Sequence, residues 1–382
     1  MERIMGINPD RFLWCCADQG VSVDECASTT DIAMANFEKL LAGEPSLTFN
    51  QLKKVAEFFG RGVLFFLEQT PINEAAIRSP QFRTLANQKP ELSARMKALI
   101  ERVEHQRTVF MTLRAEVDDG EYPQFVPPQL NDMTPKQAAT AVRAWLGLEA
   151  VNGFESYRQA IEAKGLLVFR SNGYNGRWQI AKESPILGFS LYDPECPVIV
   201  VKKQTADAQQ VFTLMHELGH LLLHRTSFID DDEDMHARGG REQEANAFAG
   251  HLLVPDDFLQ AISDRDRPDD VTLCDDWLAE QRRSWGVSSE VILRRLMDSR
   301  RLPRQFYDAY RQWQNERRVE DKDGGSRAYR HREPKHVFGD VYVRTVLDAL
   351  TGKRISLSKA CSYLDNLKVK DVHQLERFYA GI

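Results

Sequence analysis

The feature that most constrains this 382-residue chain is His216-Glu217-Leu218-Gly219-His220, set in the stretch Val211–Pro255. Apolar residues recur around it at helical spacing, so the segment reads as an α-helix. At about 100° per residue, His216, Glu217 and His220 share one side, while Val211, Leu214, Leu218 and Leu222 fall roughly opposite. The helix therefore gathers its polar groups into one cluster. Two imidazoles one turn apart can take two positions of a tetrahedral zinc, and the glutamate between them can deprotonate a water held beside the metal. A third ligand separates a site from a helix that merely carries His, Glu and His.

Two residues compete for that place. In Arg241–Ala249, read as a second helix, Glu242, Ala245, Asn246, Ala249 and Leu253 share a face, and Glu244, Ala247 and His251 point away. Glu242 is the acidic residue on the inward face. Asn246, four residues on, can hydrogen-bond a ligating histidine from outside the ligand set and fix its ring. The rival is His224, on the same face of the first helix as His220. An unbroken α-helix would carry it about 5.4 Å further along and past a compact site, which favours Glu242.

The run Phe212-Thr213-Leu214-Met215-His216-Glu217-Leu218-Gly219-His220, followed by Glu242-x-x-Ala245-Asn246-x-Phe248-Ala249-x-x-Leu252-Leu253-x-Pro255, resembles the ImmA/IrrE metallopeptidases in both halves and in their order. The resemblance implies that His216, His220 and Glu242 bind zinc and that Glu217 is the catalytic base. Zinc suits this donor set, with manganese as the alternative metal. It further implies a protein substrate, a helix-turn-helix repressor, cleaved in a stress-response or mobile-element circuit. A rival expectation is a regulatory or toxin–antitoxin protein that binds DNA or a partner and whose peptidase activity is latent or conditional.

Around this core the sequence suggests an α+β chain, mostly helical, with a small sheet packed on the metallopeptidase helices and helical modules at either side. Residues 1–70 read as short helices. Their segment Gly43-Glu44-Pro45-x-Leu47-Thr48-x-x-Gln51-Leu52-x-x-Val55-Ala56 resembles the later part of Xre-type helix-turn-helix modules. This N-terminal module holds 6 Lys/Arg against 10 Asp/Glu, however, and DNA affinity depends on cations that neutralise phosphate. Packing or protein docking is the expected role, with nucleic acid left open.

Residues 71–150 read as a proline-containing linker and a long amphipathic helix over Glu91–Val117, then a helix capped at Thr134-Pro135 and ending near Leu146. Residues 151–260 hold the peptidase core. There a helix, Phe154–Lys164, precedes strands at Leu166–Phe169, Ile186–Leu191 and Val198–Val201, an exposed edge of which is expected to line the cleft and pair with substrate. The acids Asp230–Asp234 read as a solvated loop or, alternatively, as a selector for basic substrate segments. His236 is either an oxyanion donor or without a role.

Residues 261–317 resemble a second helix-turn-helix. Seven arginines against two acids between Arg282 and Arg304 make this the basic patch, expected as a solvated helix face. Residues 318–335 read as a linker and 336–382 as a helical appendage. A net charge of -6 gives no general reason to expect nucleic acid or an anionic membrane. No apolar run approaches about 18 residues, so no membrane partner and a cytoplasmic location are expected. The six cysteines form no Cys-x-x-Cys pair, which leaves no cysteine zinc site.

Overall fold

The computed structural model describes residues 3–73, 79–89, 92–116, 122–148, 153–172, 176–237, 239–317 and 327–381. Parts of two expected connections, 173–175 and 318–326, lie outside the described residues, as does Pro90. The chain divides into two compact units, Met1–Glu104 and His105–Ile382. Among the described residues no helix is long and apolar enough to cross a membrane.

The first unit is helical: α1 (Pro9–Gln19), α2 (Val23–Thr30), α3 (Met34–Leu41), α4 (Phe49–Phe59), a 3-10 turn at Val63–Phe66, and α5 (Pro80–Gln88). Local chemistry sets the boundaries. Asn8 accepts from the first-turn amides of α1, with Pro9 at the first helical position, and Thr48 and Gln51 form a reciprocal capping box at the start of α4. Phe12, Phe37, Phe59 and Phe66 are fully buried at the centre, with Phe12 stacked on Phe37 at 5.3 Å. The buried Arg11 donates to the carbonyls of Phe65 and Thr70, tying the end of this module to its first helix.

The long helix α6 (Ala94–Glu116) precedes α7 (Pro135–Leu146) and α8 (Phe154–Glu162). Next come β1 (Leu167–Arg170), β2 (Ile186–Leu191), β3 (Val198–Val201), α9 (Asp207–Gly219), a π-helical turn at His220–His224, β4 (Phe228–Asp231) and α10 (Gly240–Leu253). The sheet has the order β1-β3-β2-β4, with β1 parallel to β3 and the other neighbours antiparallel. Its two edges are β1 and β4. The α+β, mostly helical architecture expected from sequence is the one observed.

Both faces of the sheet are covered. Val168, Ile199 and Val201 join the core formed with α7, α9 and α10. Phe169, pointing the other way by strand alternation, meets Trp178, Phe338 and Tyr342. Phe338 and Tyr342 belong to α16 (Glu333–Thr351), which follows α11 (Asp256–Gln260), α12 (Cys274–Trp277), α13 (Ala279–Trp285), α14 (Ser289–Asp298) and α15 (Arg304–Glu316). The start of the expected C-terminal appendage thus forms the second cover of the sheet. Arg158, fully buried on α8, donates to the carbonyls of Lys335, His336 and Val337 and holds it there. Helices α17 (Leu357–Tyr363) and α18 (Val369–Ala380) complete the chain.

Two expectations are corrected. The acid run is not simply a loop: Phe228–Asp231 is the fourth strand, paired with β2, and Asp230 is buried. The arginine-rich segment is not simply a solvated face either. Arg295 is buried and donates to the Val254 carbonyl and to Asp256, while Arg301 donates to the carbonyls of Leu259 and Ile262. These guanidiniums satisfy the carbonyls of the chain leaving α10.

Candidate metal centre

The centre forms where α9 and α10 cross beneath the β2–β4 edge of the sheet. Helix α9 buries its apolar residues Val211, Leu214 and Leu218 in the main core, and His216, Glu217 and, at the start of the π-turn, His220 are buried as well. Gly219 is where α10 comes closest. A Cβ there would stand 3.0 Å from Phe248 and 3.4 Å from the Ala245 backbone, so the small residue lets the helices approach until Glu242, in the first turn of α10, reaches the histidines. Gly188 on β2 does the same for the acid: a Cβ would lie 2.7 Å from Glu217 Oε1 and 2.8 Å from Thr213. Neither glycine stood out in the sequence, because the need for it arises only from another element's approach.

The donor separations are the decisive geometry. His216 Nε2 and His220 Nε2 are 3.0 Å apart, and Glu242 Oε2 lies 3.3 Å from the first and 3.1 Å from the second. Ligands about 2.0–2.1 Å from a tetrahedral zinc stand roughly 3.3 Å from one another. The three expected ligands fit that spacing. Two imidazole nitrogens and a carboxylate oxygen thus lie together, a donor set suited to zinc.

A further donor was not expected. Asp230 Oδ2 lies 3.5 Å from His216 Nε2 and 3.4 Å from His220 Nε2, and the nearest donor atoms of His216, His220, Asp230 and Glu242 all fall within 4.8 Å of one another. Strand alternation explains its direction: Phe228 and Asp230, two apart on β4, face the same way. The Phe228 ring stacks on His220 at 3.8 Å. Asp230 sits opposite Gly188, and the register slips by one residue between Gly188 and Ile186.

His224 takes a different part from the one considered for it. The π-helical turn keeps its Nδ1 3.0 Å from His220 Nδ1, and its Nε2 lies 3.1 Å from Glu244 Oε2. If His224 Nε2–H donates to Glu244, His224 Nδ1 accepts from His220 Nδ1–H, which leaves the His220 Nε2 lone pair facing the cluster. His224 thus orients a donor rather than joining the set. Asn246, expected to hold a histidine, instead donates its amide to the Asp234 carbonyl at 2.9 Å. His236 lies beside Glu290 at 3.8 Å, outside the donor cluster.

Electrostatics follow from burial. Burial alone would lower the His216 pKa, but Asp230 and Glu242 outweigh it and lift the metal-free imidazole to about 9. For Glu242, burial works toward a higher pKa and is overcome by the two histidines, which hold the carboxyl well below its usual range. Burial, reinforced by the Asp230 charge, pushes Glu217 well above the carboxylate range. A buried acid of raised proton affinity is the kind of group that accepts and returns a proton during hydrolysis.

The family model described as the IrrE N-terminal-like domain, a peptidase family, matches residues 167–297, which hold the whole cluster. Over 82 residues the chain is also 37% identical to the Bacillus phage phi105 protein named Uncharacterized immunity region protein 2. That alignment covers 21% of this chain and 50% of the phage protein, about half the length of the relative. The matched range, residues 167–297, takes in β1–β4, both helices of the candidate metal centre and all but the last residue of α14, and it is this part of the chain that is similar to the IrrE N-terminal-like peptidase family.

Proposed function

We propose that this chain is a cytoplasmic zinc-dependent endopeptidase that cleaves a helix-turn-helix transcriptional repressor. The observation that carries the reading is the close approach of His216, His220 and Glu242 donor atoms, at 3.0–3.3 Å, with Glu217 next to His216 on α9. These three residues would hold the metal. Zinc, when bound, supplies Lewis acidity toward a carbonyl oxygen and toward water.

Glu217 supplies the proton chemistry. Its carboxylate takes a proton from the attacking water and, now neutral, returns that proton to the departing amine nitrogen. Its burial keeps the proton on the carboxyl between the two transfers rather than losing it to bulk solvent. Glu244 and His224 hold the His220 ring, and the bond from Asn246 to the Asp234 carbonyl anchors the turn after β4 to α10.

A regulatory substrate is supported by the phage relative, whose name places it in an immunity region. The N-terminal module, residues 1–70, resembles an Xre-type domain yet carries an excess of acids, which suits docking of a basic repressor better than contact with phosphate.

Coexpression with a regulator that carries a helix-turn-helix module tests the reading. A cleavage product is expected with the native chain. Glu217→Gln, which keeps shape and metal but cannot take the water's proton, should cut that rate by about 10²–10⁴-fold. Undiminished cleavage by Glu217→Gln would remove the glutamate from the mechanism, and an intact regulator in both cases would remove the substrate class.

A further inference from the structure

We propose that Asp230 is a fourth protein donor that closes the metal's coordination, making the peptidase centre latent in this conformation. The proposal rests on the reading that His216, His220 and Glu242 hold the metal, and it assigns a role to a residue outside that set.

Four observations converge on it. The first is distance: at 3.5 and 3.4 Å from the two histidine nitrogens, Asp230 Oδ2 stands at the same spacing as the other donors, about the edge of a tetrahedron around zinc. The second is burial. Asp230 is 1% exposed, and its Oδ2, which accepts no well-formed hydrogen bond, faces the two histidine nitrogens. A buried carboxylate so placed is costly unless a cation completes it.

The third is charge. A divalent ion held by two neutral imidazoles and one carboxylate keeps a net charge of about +1 in a buried site, and a second carboxylate cancels it. The fourth is fixation. The Asp231 amide donates to Asp234, and Asp231 in turn accepts from the amides of Glu233 and Asp234. These bonds, with the Asn246 bond to the Asp234 carbonyl, set the end of β4 so that Asp230 faces the histidines. The acid run is therefore divided in labour: Asp230 points at the metal site, Asp231 and Asp234 shape the turn, and Glu233 is exposed.

The consequence is a question of access. Four-coordinate sites with four protein donors are closed, whereas hydrolytic sites keep a position for water or substrate. His216, Glu217 and His220 are fully buried, and Glu242, at 21% side-chain exposure, is the donor that reaches solvent. Hydrolysis then requires Asp230 to leave the metal. Asp230 lies on the edge strand β4, beside the register slip, where backbone pairing is already interrupted.

Cobalt(II) is a suitable probe, because its visible absorption reports coordination number and because binding is read without any turnover. The full-length chain is expected to bind one Co²⁺ with a four-coordinate spectrum that added azide or thiocyanate leaves unchanged. Asp230→Asn should lose at least about 100-fold in metal affinity by chelator competition, more than the loss of an orienting neighbour costs. Its spectrum should now respond to the anion. Glu233→Gln, three residues on and exposed, should match the native chain in both measurements.

A native Co²⁺ spectrum that shifts with azide would show an open position and overturn the proposal while leaving the three-ligand reading intact. Native metal affinity in Asp230→Asn would overturn it as well, and would leave Asp230 as a proton partner of Glu217. No Co²⁺ binding by the native chain would bring down the metal reading itself. The anion titration on the native chain decides the matter even if the substituted protein fails to fold.

Discussion

Around Phe12, in the unit Met1–Glu104, the buried interior is aromatic, aliphatic and thiol, whereas α9, the turn after it and β4 bring two imidazoles and two carboxylates into an interior just as dry, with Glu242 of α10 at its solvent edge. The buried polar groups of the first unit turn to nearby backbone: Asn8 caps α1, Arg11 donates to carbonyls, and Thr30 donates to the Cys26 carbonyl. Those of the metal centre turn toward one another. The first arrangement spends its polar groups on the backbone, whereas the second gathers donors that a bound cation would neutralise and link. Hydrocarbon packing in α7, α9 and α10 must therefore offset the cost of assembling the site.

The largest test of this contrast is removal of the metal, because binding a structural zinc ion contributes about 10 kcal/mol or more to folding. Chelation, or His216→Ala, should lower hydrogen-exchange protection in α9, β4 and α10 while leaving α1–α4 as protected as before. Equal loss in both units would mean that the interiors are not independent in the way their chemistry suggests.

The converse substitution is Phe12→Ala. Deleting a fully buried ring stacked on Phe37 should cost about 3–5 kcal/mol. The loss should be seen in unfolding of the first unit, with zinc content per chain unchanged. A fall in metal content would show that the centre leans on the first unit's core.

His224→Ala sharpens the comparison within the centre. Without the ring beside His220 Nδ1, metal affinity should drop by about 10–100-fold, because the imidazole is no longer held in one orientation and tautomer. Chelator competition measures it, and an unchanged affinity would reduce the Glu244–His224–His220 chain to packing. The smallest expected effect concerns the acidic N-terminal module. Raising salt should slow cleavage of a basic repressor several-fold and leave cleavage of a short neutral peptide nearly unaltered. Equal salt sensitivity for both substrates would sink the docking role.

Much of the fold was legible because its signals are local. The cap at Thr134 with Pro135 defines α7, and the short β-branched run Val198–Val201 reads as a buried strand, which it is. Helical phase brought His216, Glu217 and His220 to one side of α9. Applied to the following helix, it singled out Glu242, whose oxygen lies 3.1 Å from His220. These are properties of a repeating backbone, and a repeat can be read from residue order alone.

Asp230 and His224 were decided elsewhere. Five successive acids read as solvent-facing, since charge is the dominant local signal and the short strand Phe228–Asp231 shows too little alternation to contradict it. Pairing of β4 with Gly188–Ser190 of β2 fixes the parity that turns Phe228 and Asp230 toward the histidines. His224 lies outside the donor set, as its spacing suggested, with its ring 5.1 Å from that of His220, but its contact with His220 Nδ1 could not be read from regular helical spacing. The π-turn changes the hydrogen-bond spacing from i→i+4 to i→i+5, a change no side-chain pattern announces. Residue order therefore determined which donors each helix can present; only the packing of strand against helix determined that Asp230 meets them too, because that depends on register between segments distant in the chain.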